Sequence, residues 1–315
     1  MGPRVEPEGD ELRERLSGFT AMDISASMTT PEIIPGLSAV ADRYDVVLCD
    51  VWGVIHNGRE SFAAACDALA KFRERHGPVV LISNAPRPSK AVMPQLDALA
   101  VPRDAWSAFV TSGDATRALL AERAPGPVWA IGPKTDAPLY EDLPLQFAGP
   151  DEAAFISCSG LYNDEQETPD DYRATLAVAA ERGLPMVCAN PDRLVHRGTR
   201  LIWCAGGLAD LYELLGGPKP IMAGKPYPAI YDLALSEARS LAGADLDPRR
   251  VLCIGDGAPT DLAGANAQGL DVLFVAGGLH GEHVLEPNGA VGPRVGAWLA
   301  GEGVSATSAI PLLAW

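Results

Sequence analysis

The feature that most constrains the fold is a run of four apolar residues, Val46 to Cys49, that ends on the carboxylate of Asp50. Uninterrupted apolar runs of this length are typical of strands that are buried on both faces, as in parallel sheets. A carboxylate at the carboxyl end of such a strand lies where open α/β sheets bind their ligands. Taken alone, an acid at this position is more often a cap of the following loop. The role of Asp50 therefore depends on which residues end the other strands.

The same pattern recurs along the chain in alternation with helical segments. Apolar positions with helical spacing occupy residues 61–75, and buried-strand patterns come next at 78–82 and 108–111. Strands that alternate with helices predict right-handed βαβ units and a parallel sheet. The predicted fold class is therefore α/β, with a Rossmann-like parallel-sheet core.

The chain divides into three parts by composition and rhythm. Residues 1–29 are polar and have no clear period, which predicts a mobile N-terminal extension. Residues 116–217 continue the strand–helix alternation with fewer polar strand ends, and roughly a hundred residues can form a core of their own. We therefore predict an inserted α/β domain at 116–217, with 30–115 and 218–315 forming the core domain around it. The lead-in at 30–41 has the pattern of a capped helix.

Charge and composition exclude several classes of partner. The chain has 41 acidic against 25 basic residues, for a formal net charge of -16. Such a charge repels phosphate backbones and anionic membranes, so we expect neither nucleic acid nor membrane as a partner. No apolar run is long enough to span a bilayer and the N-terminus lacks a secretory signal, so the expected location is cytoplasmic. The 6 cysteines are scattered without a CxxC pair, which predicts neither a disulfide framework nor a zinc site.

Polar side chains follow four of the predicted strands. They are Asp50, Ser83 with Asn84, Lys225, and Asp256 with Asp261. Paired carboxylates make a hard oxygen site that suits Mg²⁺, which takes few protein ligands and retains waters and a substrate phosphate. Lys225 and Ser83 can then stabilise phosphoryl charge, and Asp50 becomes a candidate covalent nucleophile.

In order and context these motifs resemble those of the haloacid dehalogenase-like phosphohydrolases. The matching segments are VVLCD at 46–50, LISN at 81–84, GKP at 224–226 and IGDGAPTD at 254–261. Further matches, GVIHNG after Asp50 and CANPD at 188–192, are similar to the A branch of the type II cap subfamily, which includes nucleotide and 4-nitrophenyl phosphatase-like proteins. The resemblance covers nearly everything after about residue 30. It implies that the inserted domain is a cap over the core.

The resemblance also implies a role for each matched residue. Asp50 would be the nucleophile and a Mg²⁺ ligand, Ser83 a phosphate donor and Lys225 the charge stabiliser. Asp256 would ligate the metal, and Asp261 would support it directly or through water.

Four further residues are expected to contact the substrate. Asn84 would orient the phosphate loop, while Asn190 and Asp192 lie where the cap returns toward the core. Arg87 comes after the phosphate-loop candidates and could pair with a second anionic group.

Trp52 departs from the family pattern. The family normally has a second Asp at this position, which protonates the leaving oxygen and then activates water. An indole has only an N–H donor and cannot do either. The family uses the backbone carbonyl here for the metal, so Trp52 stays in the predicted metal set. His56, His280 and Asp114 are conceivable substitutes for the acid, against the simpler interpretation of two loop histidines and a helix cap.

The resulting hypothesis is a Mg²⁺-dependent phosphatase that acts on a small phosphorylated metabolite through an aspartyl-phosphate on Asp50. The alternative is a catalytically weak phosphometabolite-binding or regulatory protein that keeps the metal site without the acid. A Rossmann dehydrogenase is disfavoured because no G-x-G-x-x-G comes after the first strand. A homodimer is left open.

Overall fold

Two parallel β-sheets and a short hairpin organise the chain in a computed structural model that describes residues 30–197, 200–243 and 245–315. The strands are β1 (Glu32–Ile33), β2 (Val46–Asp50), β3 (Val79–Ser83), β4 (Ala108–Thr111), β5 (Val128–Ile131), β6 (Phe155–Cys158), β7 (Met186–Cys188), β8 (Leu194–Arg197), β9 (Arg200–Trp203), β10 (Ile221–Met222), β11 (Val251–Gly255), β12 (Asp271–Val275) and β13 (Ser308–Ile310). The larger sheet has the order β1-β13-β12-β11-β2-β3-β4, and all its pairs are parallel. The α/β prediction with a parallel-sheet core is confirmed.

Helices connect and cover these strands. The α-helices are Ala63–Arg75, Ser89–Ala98, Ser112–Ala121, Arg173–Glu181, Ala205–Leu214, Pro228–Ala242, Ala263–Ala267, Gly281–Val284 and Val295–Gly301. Short 3₁₀ helices occur at Leu37–Ala39, Ala41–Arg43, Arg103–Ala105, Lys134–Leu139, Pro169–Tyr172 and Pro248–Arg250, and a π-helical turn spans Ala258–Leu262.

Strand β2 lies in the interior of the larger sheet, between β11 and β3, and is buried on both faces. Val47 and Cys49 belong to one hydrophobic cluster and Val46 and Leu48 to another, because successive side chains of a strand point to opposite faces. The continuous apolar run in the sequence therefore reflects helices on both sides of this strand.

The smaller sheet lies within and just beyond the predicted insertion. Its order is β10-β7-β6-β5, again parallel, and it has its own buried cluster around Ile156, Leu176 and Leu208. Residues 221–222, which we assigned to the core segment 218–315, form the edge strand of this sheet through pairing with β7. The three-part division of the chain stays a prediction. The pairing with β7 shows only that β10 belongs to the smaller sheet.

Some local expectations differ from the structure. The lead-in at 30–41 is not an α-helix: it contains the two-residue strand β1, paired with β13, and then 3₁₀ turns. Pro31 and Pro35 lack the N–H that a helix interior requires. The antiparallel hairpin of β8 and β9 and the C-terminal strand β13 were not predicted, because strands of three or four residues carry little periodicity. The predicted N-terminal extension at 1–29 lies outside the described residues.

Within the described ranges, the structure has no helix with both the length and the apolar character needed to cross a lipid bilayer.

Deletion of side-chain volume in β2 should be costly. Leu48 is completely buried on this interior strand, whereas Leu241, on the helix Pro228–Ala242, is exposed. We expect Leu48→Ala to lower the free energy of unfolding by about 2–5 kcal/mol, because it leaves a cavity. The matched variant Leu241→Ala should change it by about 0.5 kcal/mol or less. Urea unfolding of both variants measures the difference, and equal losses would contradict the assigned packing.

Candidate active site

Three of the predicted site residues meet where adjacent strands end. Strand β2 pairs with β11 on one side and β3 on the other, in registers that bring their carboxyl ends together. Asp50 is the last residue of β2, Ser83 is the last residue of β3, and Asp256 comes directly after β11. The crevice beyond the sheet therefore begins with a carboxylate, a hydroxyl and a second carboxylate on neighbouring strands.

Lys225 links two of the carboxylates. Its ammonium donates to Asp50 Oδ1 at 2.5 Å and to Asp261 Oδ1 at 2.6 Å, with a longer bond to the carbonyl of Ile82 at 3.3 Å. Lys225, Asp50 and Asp261 are all buried. Charge-assisted hydrogen bonds in a buried site are stronger than those in water, so this ammonium holds both carboxylates in place.

The charges of the cluster do not balance. Burial lowers the pKa of Lys225, but Asp261 and Asp50 outweigh it and raise that pKa, so the ammonium stays charged. Burial, and then the neighbouring Asp261, raise the pKa of Asp50 well above its ordinary range. The same causes raise the pKa of Asp256 to about 6. One ammonium thus faces more negative charge than it can neutralise.

Asp256 sits between two glycines and a backbone donor. A Cβ at Gly53 would lie 2.2 Å from Asp256 Oδ2, and a Cβ at Gly278 would lie 2.1 Å from the same atom. Gly53 has φ +84°, a left-handed conformation that glycine adopts without strain. The backbone N–H of Leu279 donates to Asp256 Oδ2 at 2.7 Å. Close approach of two backbone segments to Oδ2 therefore fixes this carboxylate.

The carboxylates fit a divalent cation. Asp50, Asp256 and Asp261 each offer an oxygen, and these atoms lie within 4.8 Å of one another. Three carboxylates and the Lys225 ammonium carry a net charge of -2 when ionised, which a divalent ion would balance. Oxygen donors of this kind suit Mg²⁺. The Asp261 carboxylate already accepts from Lys225 and from the N–H of Gly257, at 3.0 Å, so it has the more constrained position of the three.

Ser83 and Arg87 differ in how close they lie to this cluster. The Ser83 hydroxyl oxygen accepts from the N–H of Ala85 at 3.2 Å, which leaves its proton available to a ligand beside Asp50. The Arg87 guanidinium instead reaches Gln95 Oε1 at 3.5 Å, and its charge lowers the pKa of Asp136 against the larger effect of burial. Arg87 thus faces residues beyond the cluster rather than the Asp50 carboxylate.

Asn84 joins segments from both sheets. Its amide nitrogen donates to Asp192 Oδ1 and to the carbonyl of Lys225, each at 3.1 Å, and its amide oxygen accepts from the Lys225 N–H at 2.7 Å. Asn190 is buried, and its side-chain oxygen accepts from the N–H of Asp192 at 3.0 Å. The structure thus gives Asn84 three protein partners and ties the CANPD segment to the end of β3.

Trp52 lies at the edge of the cluster with half of its surface open. It is 49% exposed, its ring centroid is 5.4 Å from that of His56 in an edge-on arrangement, and its benzo end lies against Gly58. His56 is buried, its Nδ1 accepts from the N–H of Gly58 at 3.1 Å, and burial lowers its pKa. His56 therefore supports the Trp52 ring as a neutral imidazole with its proton on Nε2, and a neutral imidazole N–H is too weakly acidic to protonate a leaving oxygen.

The other two conceivable substitutes also have structural roles. His280 Nε2 accepts from the N–H of Ala258 at 3.3 Å, and its ring packs on Trp298 at 4.8 Å. Asp114 forms a capping box with Thr111 at the start of the helix Ser112–Ala121. The simpler interpretation of Asp114 as a helix cap is confirmed.

Sequence reasoning missed the contacts around Asp256 and the role of Leu279. The only signal in the sequence is the pair Gly277-Gly278 shortly after β12. A glycine pair after a buried strand indicates close backbone approach, although it does not identify the partner.

Two family models match the chain. Residues 47–146 match the model described as haloacid dehalogenase-like hydrolase, and residues 222–295 match a second, described as HAD-hydrolase-like. The two ranges contain Asp50, Ser83, Lys225, Asp256 and Asp261.

Known proteins resemble the chain over most of its length. A hydrolase of the haloacid dehalogenase-like family from Brucella suis is 43% identical, covers 90% of this chain and 100% of its own, and superposes with a TM-score of 0.78. A 5'-nucleotidase of Bacillus subtilis is 26% identical over 238 residues, which are 75% of this chain and 88% of the relative. A glycerol phosphate phosphatase from Mycobacterium tuberculosis, solved in complex with magnesium, is 26% identical over 76% of this chain and 70% of its own, with a TM-score of 0.59.

The partly buried carboxyl of Asp192 should make stability depend on pH. Burial raises its pKa, against the opposing effects of Asn84 and Lys225, so the folded state favours the protonated form. Stability should therefore fall as pH rises from the ordinary carboxyl pKa of about 3.9 through the raised pKa of the folded protein. Asp192→Asn keeps an acceptor for Asn84 and should remove this component of the pH dependence.

Unfolding by urea between pH 4 and pH 7 measures this effect as the difference between wild type and Asp192→Asn. Asp67→Asn, which removes an exposed acid paired with Lys71, is the matched control and should leave the slope unchanged. Parallel pH profiles for wild type and Asp192→Asn would contradict the prediction.

Proposed function

The chain belongs to the haloacid dehalogenase-like hydrolase family, and we propose that it is a Mg²⁺-dependent phosphatase of a small phosphorylated metabolite. The resemblance carried by the four motifs is confirmed at the level of the family. Relatives named as a 5'-nucleotidase and a glycerol phosphate phosphatase support the assignment to phosphoric monoester hydrolases.

One observation carries the proposal: the Lys225 ammonium lies between Asp50 and Asp261, and Asp256 lies close to both carboxylates. Such a cluster has little use in packing, because buried carboxylates that exceed their counter-charge destabilise the folded state. It suits the transfer of a phosphoryl group, whose charge must be held in a preorganised site.

In the proposed reaction, Asp50 attacks the phosphorus of the ester. Its Oδ1 is held by Lys225, and within the described residues Oδ2 accepts no hydrogen bond, so Oδ2 is the attacking atom. A bond forms from Oδ2 to phosphorus, the ester P–O bond breaks, and the electron pair leaves on the ester oxygen. Water then attacks phosphorus as the bond from Oδ2 to phosphorus breaks, both protons of the water leave with the phosphate as dihydrogen phosphate, and the Asp50 carboxylate is regenerated.

Ser83 and Lys225 have separate parts in this reaction. The Ser83 hydroxyl donates to a phosphoryl oxygen, since its own acceptor oxygen is already used by Ala85. The Lys225 ammonium orients Asp50 and stabilises the charge of the phosphoryl group.

Asp50, Asp256 and Asp261, together with the backbone carbonyl of Trp52, would hold the metal. When bound, Mg²⁺ supplies positive charge that keeps the carboxylates ionised and attracts the phosphoryl oxygens. The negative charge of the cluster and the raised pKa values of Asp50 and Asp256 support this assignment.

The alternative of a weakly catalytic binding protein rests on Trp52. No acid occupies its position, and the neighbouring His56 is buried and neutral. Purified protein with Mg²⁺ and a panel of phosphate esters distinguishes the two functions: turnover supports the enzyme, whereas binding without turnover across the panel supports the alternative.

Asp50→Asn should abolish turnover. The amide is nearly isosteric but is not a nucleophile, so we expect kcat/KM to fall by about a thousandfold or more. Release of inorganic phosphate from the best ester of the panel measures the loss. Asp67→Asn, on the exposed face of the helix Ala63–Arg75, should retain wild-type activity. Retained turnover in Asp50→Asn would contradict the role of Asp50.

Mg²⁺ should stabilise the folded protein through the carboxylate cluster. A ligand that binds only the folded state adds about 2.7 kcal/mol to the free energy of unfolding when its concentration is a hundred times the Kd, and the midpoint temperature of unfolding rises accordingly. We expect Asp256→Asn to need about ten times more Mg²⁺, or more, for the same rise in midpoint, because the substitution removes the charge of one ligand. Thermal unfolding during a MgCl₂ titration measures the shift. An unchanged response in Asp256→Asn would place the metal elsewhere.

A further inference from the structure

We propose that Trp52 is the leaving-group subsite, where its indole stacks on the ring of an aryl phosphate ester. This inference rests on the proposed phosphatase function and names the substrate class of the same site. It assigns a positive role to the residue that replaces the usual acid.

The backbone of Trp52 lies close to two carboxylates of the site, Asp50 and Asp256. It is two residues after Asp50, and the next residue, Gly53, packs directly against the Asp256 carboxylate. Its side chain therefore leaves the backbone at the rim of the phosphoryl site, where the part of a substrate beyond the phosphorus must lie.

The indole is supported on one side and open on the other. A Cβ at Gly58 would lie 2.3 Å from Trp52 Cη2, so only glycine allows the benzo end to rest there, and Gly58 also has φ +81°. His56 contacts the ring edge-on and is itself held by the Gly58 N–H. Despite this support, 49% of the residue is exposed. A fixed aromatic side chain with open surface loses little conformational entropy when a second ring packs on it.

Leu279 is a second exposed apolar residue whose backbone contacts Asp256. Its N–H donates to Asp256 Oδ2, while its side chain is 65% exposed. Trp52 and Leu279 are thus two large, exposed apolar residues next to the buried cluster. The backbone of Leu279 contacts Asp256, and Trp52 directly precedes Gly53, which also contacts Asp256. Apolar side chains rimming a few polar groups are typical of pockets that bind a ligand with an apolar body.

The chemistry of the indole favours the same substrates. An indole cannot donate a proton to a departing oxygen, so the P–O electron pair must leave as an oxyanion. Phenol-type alcohols have a pKa of about 10, whereas water, a guide to alkyl alcohols, has a pKa of about 15.7. An aryl oxide therefore departs much more readily than an alkoxide when Asp50 attacks phosphorus. Trp52 would thus select aryl esters both by stacking and by the absence of an acid.

Binding of inert analogues tests the stacking without any turnover. Calorimetry of the full chain with Mg²⁺ compares phenylphosphonate with butylphosphonate. We expect wild type to prefer phenylphosphonate by about three- to tenfold, Trp52→Phe to keep most of this preference and Trp52→Ala to lose it. Phe147→Ala removes an exposed aromatic that packs on Tyr140 away from the cluster and should keep the wild-type preference.

Kinetics with phenyl and butyl phosphate test the leaving-group argument. We expect kcat/KM in wild type to fall steeply as the leaving-group pKa rises, and Trp52→Asp to flatten this dependence by restoring a proton donor. Equal preference for the phenyl ligand in wild type and Trp52→Ala would overturn the subsite, as would failure of both phosphonates to bind.

The two proposals fail in different ways. Turnover of esters with no effect of Trp52→Ala on the phenyl preference leaves the phosphatase in place and overturns the subsite. A Trp52-dependent phenyl preference without turnover of any ester overturns the phosphatase and supports the subsite as a binding site.

Discussion

The ammonium of Lys225 is the interaction on which the site depends. It donates hydrogen bonds to Asp50 and Asp261, and without it these two buried carboxylates would lie in the crevice with no counter-charge. Because a third carboxylate, Asp256, lies beside them, the cluster keeps an excess of negative charge. The same imbalance that costs stability creates the affinity for a cation and the electrostatic field that phosphoryl transfer needs.

Lys225 is positioned by contacts that also join the two sheets. Its backbone comes shortly after β10 in the smaller sheet, whereas its ammonium reaches the carboxyl end of β2 in the larger one. The Asn84 amide accepts from the N–H of Lys225 and donates to its carbonyl, and it also donates to Asp192. One amide at the end of β3 therefore sets the position of the ammonium and of the CANPD segment together. A change at this junction would alter both the charge of the site and the approach of the inserted segment.

Trp52 shows how a departure from a family pattern can carry information. The replacement of an acid by an indole removes a proton donor, and the three conceivable substitutes have other roles: His56 supports the ring, His280 accepts from the Ala258 N–H and Asp114 caps a helix. The surroundings of Trp52 are nevertheless ordered, with a glycine and a histidine that support the ring. An ordered and exposed aromatic at this position favours a specific use over simple loss of a residue.

The sequence by itself determined the fold class, the family and the set of polar residues at the strand ends, because buried strands and βαβ rhythm leave continuous apolar runs that end on conspicuous side chains. It did not predict the short strands β1, β8, β9 and β13, since two to four residues carry too little periodicity. Only the tertiary structure decided which side chains meet. The bonds from Lys225 to Asp50 and Asp261 span 175 and 36 residues, and the contact of Leu279 with Asp256 is made by a backbone N–H that every residue but proline has. Contacts between distant segments depend on strand order and register, which local patterns do not specify.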